Sequence, residues 1–150
     1  MNTEMLVFVV AVFATFFNNA LHWYTQVSSY PLFGWVGPGE FVPFHQEYER
    51  RLPLSIYLPY GLLMASTGLL VFVRPAAVPL GWVVVLLGLN ASIMAISLTF
   101  AVPVHSRLDR QGYSDSAGLR KLIRYNGLRL AASSLSSAIV LCLLAGVIAA

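Results

Sequence analysis

Charge is scarce in this sequence. Of 150 residues, nine are basic and six acidic, about one in ten where a soluble domain carries about a quarter. So few charges cannot coat a water-facing surface. Cysteine is almost absent. Cys142 stands alone in an apolar run, which excludes an intrachain disulfide and a cysteine-based zinc site, and it is expected to pack as a small hydrophobe. A basic segment ahead of the first apolar run is also missing. Glu4 sits there instead, and the run outlasts a signal-peptide core, so it reads as a helix of the mature protein. No internal repeat or low-complexity stretch occurs. The sequence pI of about 9.3 does not imply a nucleic-acid partner, because the basic residues are dispersed along a hydrophobic chain and act as topology signals.

What the chain has in quantity is apolar sequence: 58% hydrophobic residues and a mean hydropathy of +0.75. It falls into four blocks, over about 5–24, 54–73, 79–104 and 119–149. Each meets the ~20 residues needed to cross a bilayer. The expectation is an all-α membrane protein, a single four-transmembrane-helix bundle in a lipid bilayer. The second helix is expected to begin early, at about 43, since Pro43 suits a first helical turn and Phe44, Tyr48 and Leu52 recur at helical spacing. It then runs over 43–73 with a kink near Pro53. The short connection Arg74–Val78, with Pro75, makes helices two and three a tight hairpin. The fourth block would span roughly 46 Å as a helix, longer than the ~30 Å hydrocarbon core, so residues 119–128 project into the inner interface.

Arg50, Arg51, Arg107, Arg110, Arg120, Lys121, Arg124 and Arg129 fall on one side of these spans and Arg74 alone on the other. The positive-inside rule then places both termini on the extracytoplasmic side of the cell (inner) membrane, with the loops near 26–52 and 105–118 in the cytoplasm. Gly61 with Ala65, Gly81 with Gly88, and the small residues over 131–138 are expected to permit close helix approach.

Alternating helix direction has a consequence for the polar residues. His22 ends the first helix, His45 and Glu49 open the second, His105 ends the third, and Asn126 and Arg129 lie early in the fourth. All six therefore reach the same face, and the chain's three histidines are all among them. Thr15, Asn18, His22 and Gln26 share one helix face, as do His45 and Glu49 at i, i+4, and Asn126, Arg129, Ser133 and Ser136. Asn90, Met94, Ser97 and Ala101 lead to His105. Lipid cannot satisfy such stripes, so they should enclose a polar cavity. Three imidazoles and a carboxylate suit a transition metal, iron or copper, with zinc fitting less well. Arg129 suits an anionic group and Asn126 a hydrogen bond to a ligand. The plainer reading makes the histidines and Arg129 interfacial anchors, and Trp23, Tyr24, Tyr30, Trp35, Tyr48 and Tyr57 an aromatic belt. Glu47 lies on another helix face, and Glu40 reads as solvated.

The stretch Gln26, Tyr30-Pro31-Leu32-Phe33, Phe41, His45, with Val102-Pro103-Val104-His105, Leu108, Asn126 and Arg129, resembles the small four-helix membrane proteins grouped with the anthrone oxygenases. The resemblance covers most of the chain. It implies a four-helix bundle, oxygenation of a lipophilic aromatic substrate, and roles for His45, His105, Asn126 and Arg129. The leading expectation is thus a membrane-embedded oxidoreductase, a metal-dependent oxygenase acting on a small lipophilic substrate, with His22, His45, Glu49 and His105 as ligands and Arg129 and Asn126 as catalytic groups. A metal-free form would use a histidine as general base. Two rivals stand beside it: a binding or transport protein, and an accessory membrane subunit.

Overall fold

The computed structural model describes residues 2–111 and 116–149. Residues 112–115 of the loop expected at 105–118 lie outside the described residues. Four long helices make up the chain: α1 (Thr3–Phe33), α2 (Phe41–Leu69) and α3 (Leu80–Arg110), and α4 (Ser116–Ala149). All four are long and apolar enough to cross a membrane, and no strand occurs among the described residues. Such helices close every backbone hydrogen bond internally, as lipid demands. Asn2 caps the first, its Oδ1 accepting from the Met5 N–H at 2.9 Å. α1 packs against α2 and α4, α2 against α3, and α3 against α4, giving an up-and-down bundle. As expected, α2 begins well before its apolar block, at Phe41, and α4 well before Arg129, at Ser116.

The first and third helices run further than their hydrophobic blocks suggest. α1 continues past Tyr24 to Phe33, and α3 past Val104 to Arg110. Both contain a five-residue π turn, Thr25–Ser29 in α1 and Ser97–Ala101 in α3, and α2 contains a third, Pro53–Tyr57. These wide turns share a cause. The residue at the end of each, Tyr30, Leu58 or Val102, sends its N–H five residues back, to Thr25, Pro53 or Ser97. Pro31, Pro59 and Pro103 follow immediately. A proline has no N–H to offer, and in a regular helix its ring collides with the carbonyl four residues back. One extra residue in the turn carries the chain past that collision. The irregularity expected at Pro53 is therefore real but answers to Pro59. α4 has no proline and runs unbroken for 34 residues.

Apolar packing occurs in three groups along the bundle. Phe8, Leu70, Val83, Leu86 and Val140 fill the end that carries Arg74. Ala14, Tyr60, Leu63 and Ile93 pack at mid-height. Tyr30, Phe33, Phe41, Val104, Leu108 and Leu122 close the basic end. Two packing expectations are corrected. Nothing lies within 4 Å of a Cβ built on Gly61, Gly81 or Gly88, so these glycines mediate no close helix approach within the chain. Cys142 is exposed on the bundle's outer surface rather than packed inside, because the turn that buries Val140 and Leu143 rotates it outward.

Candidate functional site

From mid-height to the basic end, and for about one turn toward the other end, the four helices enclose polar side chains. Thr15, Asn18, His22, Asn90, His105, Asn126, Arg129, Ser133 and Ser136 are all buried, so the stripes do face inward. Met94 is the exception: it is partly exposed on α3. A cavity of about 100 Å³ lies at the level of the π turns, and His22, Tyr30, Tyr48, His105, Asn126 and Arg129 are among its lining residues.

The wide turns decide which side chains meet there. A regular helix advances about 100° per residue, so residues eight apart differ by about 80° around the axis. Where a π turn absorbs one of the eight, they fall within about 20° of each other. His22 and Tyr30 on α1, and Ser97 and His105 on α3, are such pairs, and all four line the cavity.

A chain of hydrogen bonds runs from the cavity toward the basic end. Arg129 donates from one Nη to Ser97 Oγ and from the other to Tyr30 Oη, each at 3.2 Å. Tyr30 Oη lies 3.1 Å from His105 Nε2. His105 Nδ1 lies 2.8 Å from His45 Nε2, and His45 Nδ1 lies 2.6 Å from Asp109 Oδ1. A carboxylate only accepts hydrogen bonds and a guanidinium only donates them. With neutral imidazoles the chain then has one consistent arrangement. His45 Nδ1–H donates to Asp109, His105 Nδ1–H donates to His45 Nε2, and the Tyr30 hydroxyl donates to His105 Nε2. Phe33 and Phe41 pack on the His45 ring and leave it 0% exposed. The ring is therefore held in place on all sides.

His45, Glu49 and His105 can hold a metal ion: each offers a donor atom, and these atoms lie within 4.8 Å of one another. His105 Nδ1 is 3.8 Å from Glu49 Oε1 and 2.8 Å from His45 Nε2. Two nitrogens bound to one tetrahedral ion at 2.0–2.1 Å sit roughly 3.3 Å apart, so an ion requires a sub-ångström opening. The donor set suits it. Asp109 holds the other nitrogen of His45, and Tyr30 the other nitrogen of His105, which is how metal-binding imidazoles are usually oriented. The ion and the hydrogen-bond chain compete for the same two nitrogens. With an ion present, the His105 proton must move from Nδ1 to Nε2.

His22 stands apart from this group. The reason is the length of α1: the helix does not end near His22 but continues to Phe33, so Tyr30, eight residues further on, is the α1 side chain that reaches His105. The three-histidine cluster expected from the sequence is thus not formed. His22 lines the cavity instead, beside the Asn126 side chain. Asn126 donates to the His22 carbonyl and to Gln26 Oε1, both at 2.9 Å, tying α4 to α1. Glu47 faces outward as expected and pairs with Arg50 and Arg51.

Three members of the site are not expected from the sequence. Asp109 falls in the expected loop, whereas α3 carries it one turn beyond His105, and its i, i+4 spacing from His105 is the signal for it. Tyr30 and Tyr48 read as part of an aromatic belt, but Tyr30 is buried and both line the cavity. Trp23, Tyr24 and Trp35 do face outward, and Tyr57 is exposed while also lining the cavity.

Arg129 is 8% exposed, and no carboxylate pairs with it among the described residues. Its Nε is buried without a partner, whereas the neighbouring His22 and Asn126 side chains interact with each other. All three residues line the one cavity. Buried polar atoms are nearly always paired, so the unpaired guanidinium N–H at the cavity marks a place where a hydrogen-bond acceptor would be satisfied. No protein-family model, no curated protein and no solved structure matches this chain.

Proposed function

We propose that the protein is a membrane-embedded oxidoreductase of the oxygenase type. Its substrate would be a small lipophilic compound, aromatic by the resemblance noted above, bound at the cytoplasmic face of the inner membrane with both termini outside. The observation that carries this reading is the buried Arg129 guanidinium without a carboxylate, set in a largely apolar cavity beside Tyr30 and His105. A buried cation of this kind is costly unless something anionic visits it. An oxygen that gains negative charge during reaction meets that need, and fixed donors in a dry site stabilise such charge strongly.

The residues divide the work as follows. The substrate's oxygen faces Arg129 Nε. Loss of a proton from an acidic C–H leaves the charge delocalised onto that oxygen. The proton is accepted on the Tyr30–His105 pair, with His45 and Asp109 holding His105 in the accepting tautomer. The electron-rich carbon then reacts with dioxygen, so that a CH2 group and O2 become C=O and water. An iron or copper ion held by His45, Glu49 and His105 would supply redox capacity toward dioxygen in place of this base chemistry, since His105 Nε2 would then carry a proton and could not accept one. The bundle excludes bulk water from the reactive anion.

Anthrone serves as a probe substrate. Detergent-purified protein should consume one dioxygen per anthrone oxidised, and His105→Ala and Arg129→Gln should each reduce the rate at least about tenfold. Oxygen uptake by these variants equal to that of the native chain would refute the assignment.

A further inference from the structure

The lining of the cavity is asymmetric. The side chains contributed by α1 and α4, among them His22, Tyr30, Asn126 and Arg129, are buried or only partly exposed. The lining residues that reach the outer surface are Tyr57 (58% exposed), Met94 (39%) and Val102 (46%). One stands on α2 and two on α3. These two helices touch on either side of this level: Phe41–Leu52 packs against Val102–Gln111, and Leu58–Leu69 against Leu80–Ile96. Between those contacts both helices widen into π turns, Pro53–Tyr57 and Ser97–Ala101.

Depth tells what lies outside this gap. Along α3 from Leu80, Met94 sits at about 21 Å and Val102 at about 33 Å, and Arg129 lies about 30 Å along α4 from Ala149. A hydrocarbon core of about 30 Å therefore ends near the level of the gap. Leu54, Leu58 and Leu98, all exposed on the same two helices, give its surroundings an apolar surface suited to acyl chains rather than water.

We infer that the cavity is loaded sideways from the bilayer, through a gate between α2 and α3 formed by Tyr57, Met94 and Val102. The entrant is an amphiphile with an oxygen-bearing head and a flat apolar body. Its head rides at the boundary of headgroups and acyl chains, the depth of Arg129, so it slides inward without crossing water or reorienting. This rests on the cavity being a ligand site as proposed above but not on oxygen chemistry, so it is tested by binding rather than turnover.

The probe is naphthol, partitioned into lipid nanodiscs that hold the full chain, with binding followed by its fluorescence. In the native protein the association rate should scale with the amount of naphthol per lipid, not with its aqueous concentration. Met94→Trp and Val102→Trp narrow the gate, so association and dissociation should slow together by about tenfold with little change in affinity, the sign of a barrier rather than a contact. Val84→Trp, on the lipid-facing surface away from the cavity, should change neither rate. An association rate that follows aqueous naphthol, or gate variants that bind at native rates, would overturn the inference. The nanodisc measurement on the native chain stands even if a tryptophan variant fails to fold. Absence of any naphthol binding would overturn the inference and the ligand site together, while binding without oxidation would sink only the oxygenase reading.

Discussion

Replacing Arg129 by methionine separates a functional arginine from a structural one, because the two roles predict different combinations of stability and affinity. Arg129 makes two side-chain hydrogen bonds, to Ser97 and Tyr30, both at 3.2 Å and both to neutral hydroxyls. With a charged donor such bonds contribute about 1.5–3 kcal/mol each, so their loss costs roughly 3–6 kcal/mol. Against this stands the desolvation of a guanidinium that is 8% exposed, an effective penalty of several kcal/mol when no opposite charge offsets it. Methionine conserves much of the apolar bulk and removes the penalty. The two terms are of similar size, so the bundle should keep its stability to within ~3 kcal/mol, which at about 2–4 °C per kcal/mol keeps the Tm within about 10 °C of the native value. Affinity for naphthol should fall by about tenfold or more, the worth of a charge-assisted hydrogen bond. Thermal unfolding in detergent, followed by circular dichroism, reads the first effect and probe binding the second. A large drop in Tm with unchanged affinity would show that Arg129 holds the bundle together, and the ligand site would have to be abandoned.

Three further outcomes are expected. Elemental analysis after loading with iron, copper or zinc should show that His45→Ala and Glu49→Gln lose the metal while His22→Ala and Glu47→Gln retain it; loss in His22→Ala would restore the three-histidine arrangement. Asp109→Asn keeps an acceptor for His45 Nδ1 but removes the charge, and should weaken metal affinity by about 10–100-fold and slow anthrone oxidation; native behaviour in both assays would remove Asp109 from the site. A reporter fused after Ala150 that is active only in the periplasm should be active, since eight of nine basic residues lie at the opposite end; activity of a cytoplasm-only reporter would invert the topology.

The helices themselves were legible in the sequence because membrane insertion is a property of each segment. Twenty apolar residues cross a bilayer whatever their neighbours do, and alternating direction then collects His22, His45, Glu49, His105, Asn126 and Arg129 at one end without any knowledge of packing. Inward-facing stripes followed for a related reason, since lipid offers nothing to Asn18, Asn90 or Ser133. What a segment touches is different in kind. It depends on how far each helix runs and how it is turned about its axis, and hydrophobicity reports neither. The polar residues past Tyr24 and Val104 look like loop until tertiary contacts hold them helical, which is how Tyr30 and Asp109 entered the site and His22 left the metal-capable group. A single extra residue in a π turn rotates everything beyond it by about 100°. The three prolines that provoke those turns are plain in the sequence, but only the folded bundle shows that His105 shares a cavity with Arg129 while presenting its other nitrogen to His45.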